Sequence, residues 1–153
     1  MLPRVTELQF EAPTEEEEVQ EAPQPLVSFL FDFKKGDFVK DDGKLIRITG
    51  KEALKQWIEK TIRTERYRYR IYLDDQGNEV EEYGTTIEDL VGTNYPRSFV
   101  EAELEREITE SLTNHYAIND IQNWRFERDD STGATISFEV VTDDEVFEQE
   151  VTL

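Results

Sequence analysis

Three short runs close the chain, IQNWRFER, ATISFEVV and EVFEQEVTL, separated only by DDSTG and TDDE. Runs of this length, rich in β-branched and aromatic residues and bounded by Asp, Ser and Gly, are strands, and connections this short join neighbours in a meander. A sheet is therefore obligatory, and any all-helical fold is excluded.

Upstream the period changes. TGKEALKQWIEKTI carries Ala53, Leu54, Trp57, Ile58 and Ile62 on one helical stripe, and Thr49 with Glu52 fits a capping box. A second helix opens around Pro96, Ser98 and Glu101 and repeats Val100, Leu104, Ile108 and Leu112 every fourth residue. These patterns predict helices over 50–63 and 98–114. Thr85 and Glu88 suggest a short capped helix, TIEDLV, ended by Gly92. Near the other end, LVSFLFDF and the pair FVK and KLIRI, joined by Asp41-Asp42-Gly43, predict strands with a hairpin turn. The expected fold class is α+β: a small antiparallel sheet with two main helices packed on it, an N-terminal hairpin and a C-terminal β-meander.

Residues 66–73, RYRYRIYL, also form a strand by alternation, with Arg66, Arg68 and Arg70 on one face and Tyr67, Tyr69 and Ile71 on the other. The tyrosines are expected to face the core. Residues 1–25 differ in kind: seven glutamates, four of them consecutive at Glu15–Glu18, stand against Arg4, with prolines at 3, 13, 23 and 25. Such a stretch cannot offset its ordering entropy by apolar burial. It is expected to be an acidic arm, extended or disordered unless bound, ahead of a single domain at 26–153.

Charge narrows the function. With 36 acidic and 17 basic residues in 153, the net charge of -19 repels phosphate backbones and anionic lipid. Neither nucleic acid nor membrane is an expected partner; the chain has no stretch that would span a bilayer and no signal-like start. With no cysteine, disulfides, thiolate metal sites and a cysteine nucleophile are excluded. The acidic glycine turns do not form calcium loops, because the first ligand position falls on Phe38, Tyr72 or Arg128. His115, the only histidine, follows a helix, where a cation would meet the carbonyl end. No metal, cofactor or catalytic residue is expected.

The charges are also segregated. Residues 44–72 hold nine Lys or Arg against three Glu, whereas 127–153 hold nine acids against Arg128. The arginine strand is then either a solvated face paired with the acids of the last hairpin or a contact face for another protein. Two surfaces are candidates for contact: Arg63, Glu65, Arg66, Arg68 and Arg70 on the basic side, and Phe147, Glu148, Glu150 and Val151 in the last strand.

Thr64-Glu65-Arg66-Tyr67, preceded by the helix EALKQWIEKTIR and followed by YRYRIYLDDQGNEVEEYG, resembles the XkdS-like family of contractile-tail baseplate wedge proteins. Glu105-Arg106-Glu107-Ile108-Thr109-Glu110-Ser111-Leu112 is similar to that family's E-R-x-I-T-E-x-L helix, and Ile121 to Trp124 to the strand after it. The resemblance covers about residues 29–142. It implies a structural subunit that links the baseplate wedge to the first sheath ring and initiates sheath assembly. Implied with it are six copies per baseplate, with sheath, other wedge proteins and tube or hub components as partners. The implied location is a virion tail baseplate assembled in the host cytoplasm, or a phage-tail-like particle. Where relatives carry an acid and an arginine before an isoleucine, this chain has His115-Tyr116-Ala117-Ile118, so no role is carried over there. Because the wider wedge family has a lysozyme-like relation, a tail-associated cell-wall hydrolase is the alternative; a cytosolic adaptor is a third reading.

Overall fold

A computed structural model of the chain describes residues 26–64, 83–87, 90, 94–129 and 133–153. The acidic arm, Glu65, the arginine strand with its tyrosines, and Glu88 lie outside the described residues.

The last third of the chain is the expected antiparallel meander. Strands β7 (Asp120–Asp129), β8 (Gly133–Val141) and β9 (Val146–Thr152) pair in the order β7-β8-β9. Alternation along β8 sends Ile136, Phe138 and Val140 inward, each at most 1% exposed. Helix α2 (Arg97–Thr113) brings Leu104, Ile108 and Leu112 to the same core, and α1 (Gly50–Arg63) brings Leu54, Ile58 and Ile62. Burying each such side chain stabilises the fold by about 1.5–3 kcal/mol.

A strict alternation through IQNWRFER would place Ile121 and Phe126 on opposite faces of β7. The register shows how both turn inward: Gln122 pairs with Glu139, but Arg125 pairs with Ser137, so one extra residue is accommodated between them. Asn123 occupies this bulge with φ of 56°, a region that asparagine tolerates better than most residues. Past it, Trp124 and Phe126 lie partly buried against the core, and the Trp124 ring sits 4.8 Å from that of Phe138.

The N-terminal region is more elaborate than the expected hairpin. Strands β1 (Val27–Phe29) and β6 (Arg47–Thr49) pair, as do β2 (Phe31–Asp32) with β3 (Asp37–Phe38) and β4 (Lys40–Asp41) with β5 (Lys44–Leu45). Three short ladders thus radiate from a junction at Leu30, Val39 and Ile46. There the Leu30 N–H donates to Ile46 O (2.8 Å) and the Val39 N–H to Leu30 O (2.9 Å). The Asp42-Gly43 turn is as expected, with φ of 47° and 76°, the positive pair that a type I′ hairpin requires. The other ladder closes through Asp32, whose Oδ1 accepts the N–H groups of Lys34 and Lys35 (2.9 and 3.1 Å). Those bonds, Lys35's foremost, hold its carboxyl below the usual carboxylate range. Gln56 of α1 latches this unit in place, donating to Ser28 Oγ and Phe29 O and accepting the Phe31 N–H, all within 2.9 Å.

The helix limits match the sequence to within a residue, but the capping boxes do not form. Thr49 is committed to β6 opposite Val27, and the Gly50 N–H donates to Leu26 O. The side chain of Thr49 accordingly makes no cap bond. At α2 the N-cap is Pro96, and Arg97 Nε is ion-paired with Glu101, the carboxylate the box would have used, at 2.6 Å. Thr85 is tied to the first helix: its Oγ1 donates to Ile62 O and its N–H to Thr64 O, while Ser111 Oγ donates to Gly84 O. These hydroxyls tie residues 84–85 to both helices without leaving buried polar atoms to be desolvated.

Replacing Asn123 by Val is expected to lower stability by about 1–2 kcal/mol, because a β-branched residue is strained at positive φ. Asn123→Gly should lose measurably less, although both variants forfeit the Asn123–Glu139 hydrogen bond. Urea midpoints of the two variants provide the comparison.

Candidate functional site

Within the three-stranded sheet β8 is central, so β9 has a partner on one side only among the described residues. Its side chains alternate cleanly: Phe147, Gln149 and Val151 are buried, and Val146, Glu148, Glu150 and Thr152 are exposed. The backbone alternates with them. The Leu153 N–H donates to Ala134 O (2.8 Å), so odd-numbered residues of this strand direct their N–H and C=O groups at β8. The main-chain groups of residues 146, 148, 150 and 152 therefore point away from the sheet. Among the described residues Glu148 offers an outward backbone and a carboxylate; Glu150 offers an outward N–H and a carboxylate, while its carbonyl accepts a long bond from Gln149 Nε2 at 3.5 Å.

This arrangement refines the expectation for the last strand. Phe147 and Val151, 6% and 1% exposed, are core side chains; they can take part in a contact at this edge only through their place in the backbone. On the outer face of the sheet, Arg125 reaches Glu148 at 3.3 Å and Asn123 Nδ2 donates to Glu139 at 2.6 Å. Arg125 is a signal that sequence reasoning passed over, since its neighbour across the sheet depends on the bulge.

On the basic side only Arg63 is described. It ends α1, pairs with Glu59 at 3.0 Å, and its guanidinium lies 5.6 Å from the centre of the Phe33 ring. Glu65, Arg66, Arg68 and Arg70 are outside the described residues.

His115 differs from the expected helix-terminal cation. Its Nδ1 accepts the Ala117 N–H (3.1 Å), and its ring packs 4.4 Å from Trp57 and 4.7 Å from Tyr116. Burial lowers its pKa from the ordinary 6.5, because removing water penalises the imidazolium. The ring acts as a neutral aromatic wedge between α1 and the turn after α2.

A groove of about 290 Å³ lies between the start of α1 and the β8–β9 turn, floored by Leu26, Leu54, Ala117 and Phe147. Its polar rim is already engaged: Lys51 pairs with Glu145 at 2.8 Å, and Asp143 accepts Asn119 Nδ2 at 2.7 Å. Among the described residues no three His, Asp or Glu side chains gather as a metal site.

The sequence profile of the contractile injection system sheath initiator matches residues 27–145. The chain belongs to the sheath initiator family. It is 30% identical over 144 residues to the phage-like element PBSX protein XkdS of Bacillus subtilis (strain 168), covering 94% of this chain and 92% of that protein. This sheath initiator is accordingly a structural component of a contractile injection system. The resemblance carried by residues 105–112 now has a physical basis: Ile108 and Leu112 are fully buried, while Arg106 is held among Glu103, Glu107 and Glu110 at 3.1 Å each. The motif is a buried helical stripe with an ion cluster beside it on the same helix.

Above pH 6.5, His115 is expected to have no effect on the pH dependence of stability. As pH falls below that value the unfolded chain takes up the proton first, so the folded state loses stability down to its own lower pKa. His115→Phe should remove this part of the slope, read as the change in urea midpoint between about pH 7.5 and pH 5.

Proposed function

We propose that this initiator starts the sheath by strand addition, with the open edge of β9 accepting an extended segment of the first sheath subunit. The observation that carries the reading is the outward backbone of Glu148 and Glu150 on a strand whose alternate side chains are locked in the core. A first ring has no ring beneath it, so its pairing surface has to come from the initiator. Main-chain hydrogen bonds supply affinity in such an addition. The carboxylates of Glu148 and Glu150 suppress pairing of two initiator edges, since like charges would face each other.

In this reading the domain at 26–153 sits in the tail baseplate in six copies, contacts wedge and tube or hub proteins, and performs no catalysis. Arg63, Glu65, Arg66, Arg68 and Arg70 form the second contact surface, toward an acidic neighbour. The hydrolase alternative has no supporting observation: His115 is packed against the Trp57 ring, and Lys51 and Glu145 at the groove are paired with each other.

Glu148→Pro removes an outward N–H at the edge without taking a bond from the β8 ladder. The folded variant is expected to lose nucleation of sheath on preformed tubes, while charge reversal at Arg68 and Arg70 leaves nucleation intact. The opposite outcome would transfer sheath binding to the arginine face. Purified protein is expected to release nothing from cell-wall substrate; turnover abolished by neutralising one carboxylate would reinstate the enzyme.

A further inference from the structure

The three-way junction at the N-terminal end presents an exposed face of aromatic and basic residues. Register places Phe29 opposite Arg47, Phe31 opposite Phe38, and Lys40 opposite Leu45. Paired residues share a face, and so do residues two apart along a strand, which puts all six on one side of the junction. The other side is committed to the domain: Ile48 is buried and Ser28 is bound by Gln56.

The outer side is apolar and basic. Phe29, Phe38 and Leu45 remain 44%, 44% and 42% exposed, more than isolated packing on their own sheet would leave uncovered by chance at three neighbouring sites. Phe31 and Phe38 meet edge to face, with ring centres 5.1 Å apart. Among the described residues, no carboxylate lies within ion-pair distance of Lys40 or Arg47. Unpaired cations beside exposed aromatic rings are unusual in a molecule of charge -19. They fit a partner segment that is acidic and carries apolar side chains of its own.

We propose that this face seats residues 1–25 of a second copy of the same chain. That segment has the required chemistry: seven glutamates against Arg4, six of them following an apolar stretch with Leu2, Val5, Leu8 and Phe10. It has the reach, since 25 residues extend to at most about 80 Å, against roughly 35–40 Å across a domain of this size. It also joins the domain at Leu26, directly before β1 and the junction itself. Pro23 and Pro25 bias the residues before them, 22 and 24, toward extended backbone, which favours a segment that leaves its own domain and meets a neighbouring copy. Copies arranged around a tube would each give a segment and receive one. Each contact is weak alone and screened by salt, and gains strength when copies are held side by side.

The test uses full-length protein. Equal amounts of natural-abundance and ¹⁵N-labelled chain are mixed at low ionic strength, carboxylates are coupled to amines with a carbodiimide, and cross-linked peptides are sorted by isotope. The expected result is mixed-isotope links from Glu15–Glu18 to Lys40. Their yield should drop about fivefold or more on raising salt to a Debye length of a few ångströms. Arg47→Glu and Phe38→Ser should each produce a comparable loss while the reporter Lys40 remains. Thermal melting establishes folding, and Arg47→Glu decides alone if Phe38→Ser fails to fold. Links confined to one isotope, links spread evenly over all lysines, or yields indifferent to Arg47→Glu would each overturn the proposal.

Discussion

Ile136, Phe138 and Val140 stand in a row on β8, and solvent barely reaches any of them. A three-stranded sheet in water cannot leave such a row uncovered, and covering it sets the positions of the other elements. Helix α2 supplies Leu104, Ile108 and Leu112, α1 supplies Leu54, Ile58 and Ile62, and the segment at 84–87 is pinned between the two helices with Ile87 in the core. The Asn123 bulge serves the same purpose, because without it β7 would bring either Ile121 or Phe126 to the core but not both.

Because β8 is the covered centre, β9 is the edge of this sheet among the described residues, and the chemistry of that edge follows from parity alone. One hydrogen bond, Leu153 N–H to Ala134 O, determines which backbone groups face β8 and which face outward. The outward set belongs to Val146, Glu148, Glu150 and Thr152, so the middle of that edge carries two carboxylates. An edge that is hydrogen-bond competent yet negatively charged discriminates against its own kind and in favour of a neutral or basic strand. That is the property an assembly-starting subunit needs: receptive to another protein, inert toward another copy at the same place.

The N-terminal junction is governed by different forces. Its ladders are two or three residues long, too short to persist by themselves. Their persistence here depends on Ile48 in the core and on the Gln56 amide spanning the break between β1 and β2. With so little of its surface internalised, the unit retains exposed rings and, among the described residues, no ion-pair partner for Lys40 or Arg47, so the domain has two chemically distinct surfaces: acidic at the β9 edge, aromatic and basic at the junction.

Periodicity made much of this legible in the sequence. The helix stripes, the meander, the Asp42-Gly43 turn and the burial of Leu104, Ile108 and Leu112 all depend on local spacing, which the chain carries wherever it folds. The family resemblance at residues 105–112 is local in the same way, a buried helical stripe beside an ion cluster within one element. The features that escaped are those that depend on a distant partner. Thr49 and Glu101 looked like caps until strand pairing and Arg97 claimed them. His115 looked like a helix-end cation until Trp57 and Tyr116 enclosed it. The bulge at Asn123, the threefold meeting of strands at Leu30, Val39 and Ile46, and the parity of the β9 edge arise only from tertiary pairing, since a strand's sequence specifies its alternation but not which neighbour its backbone will face.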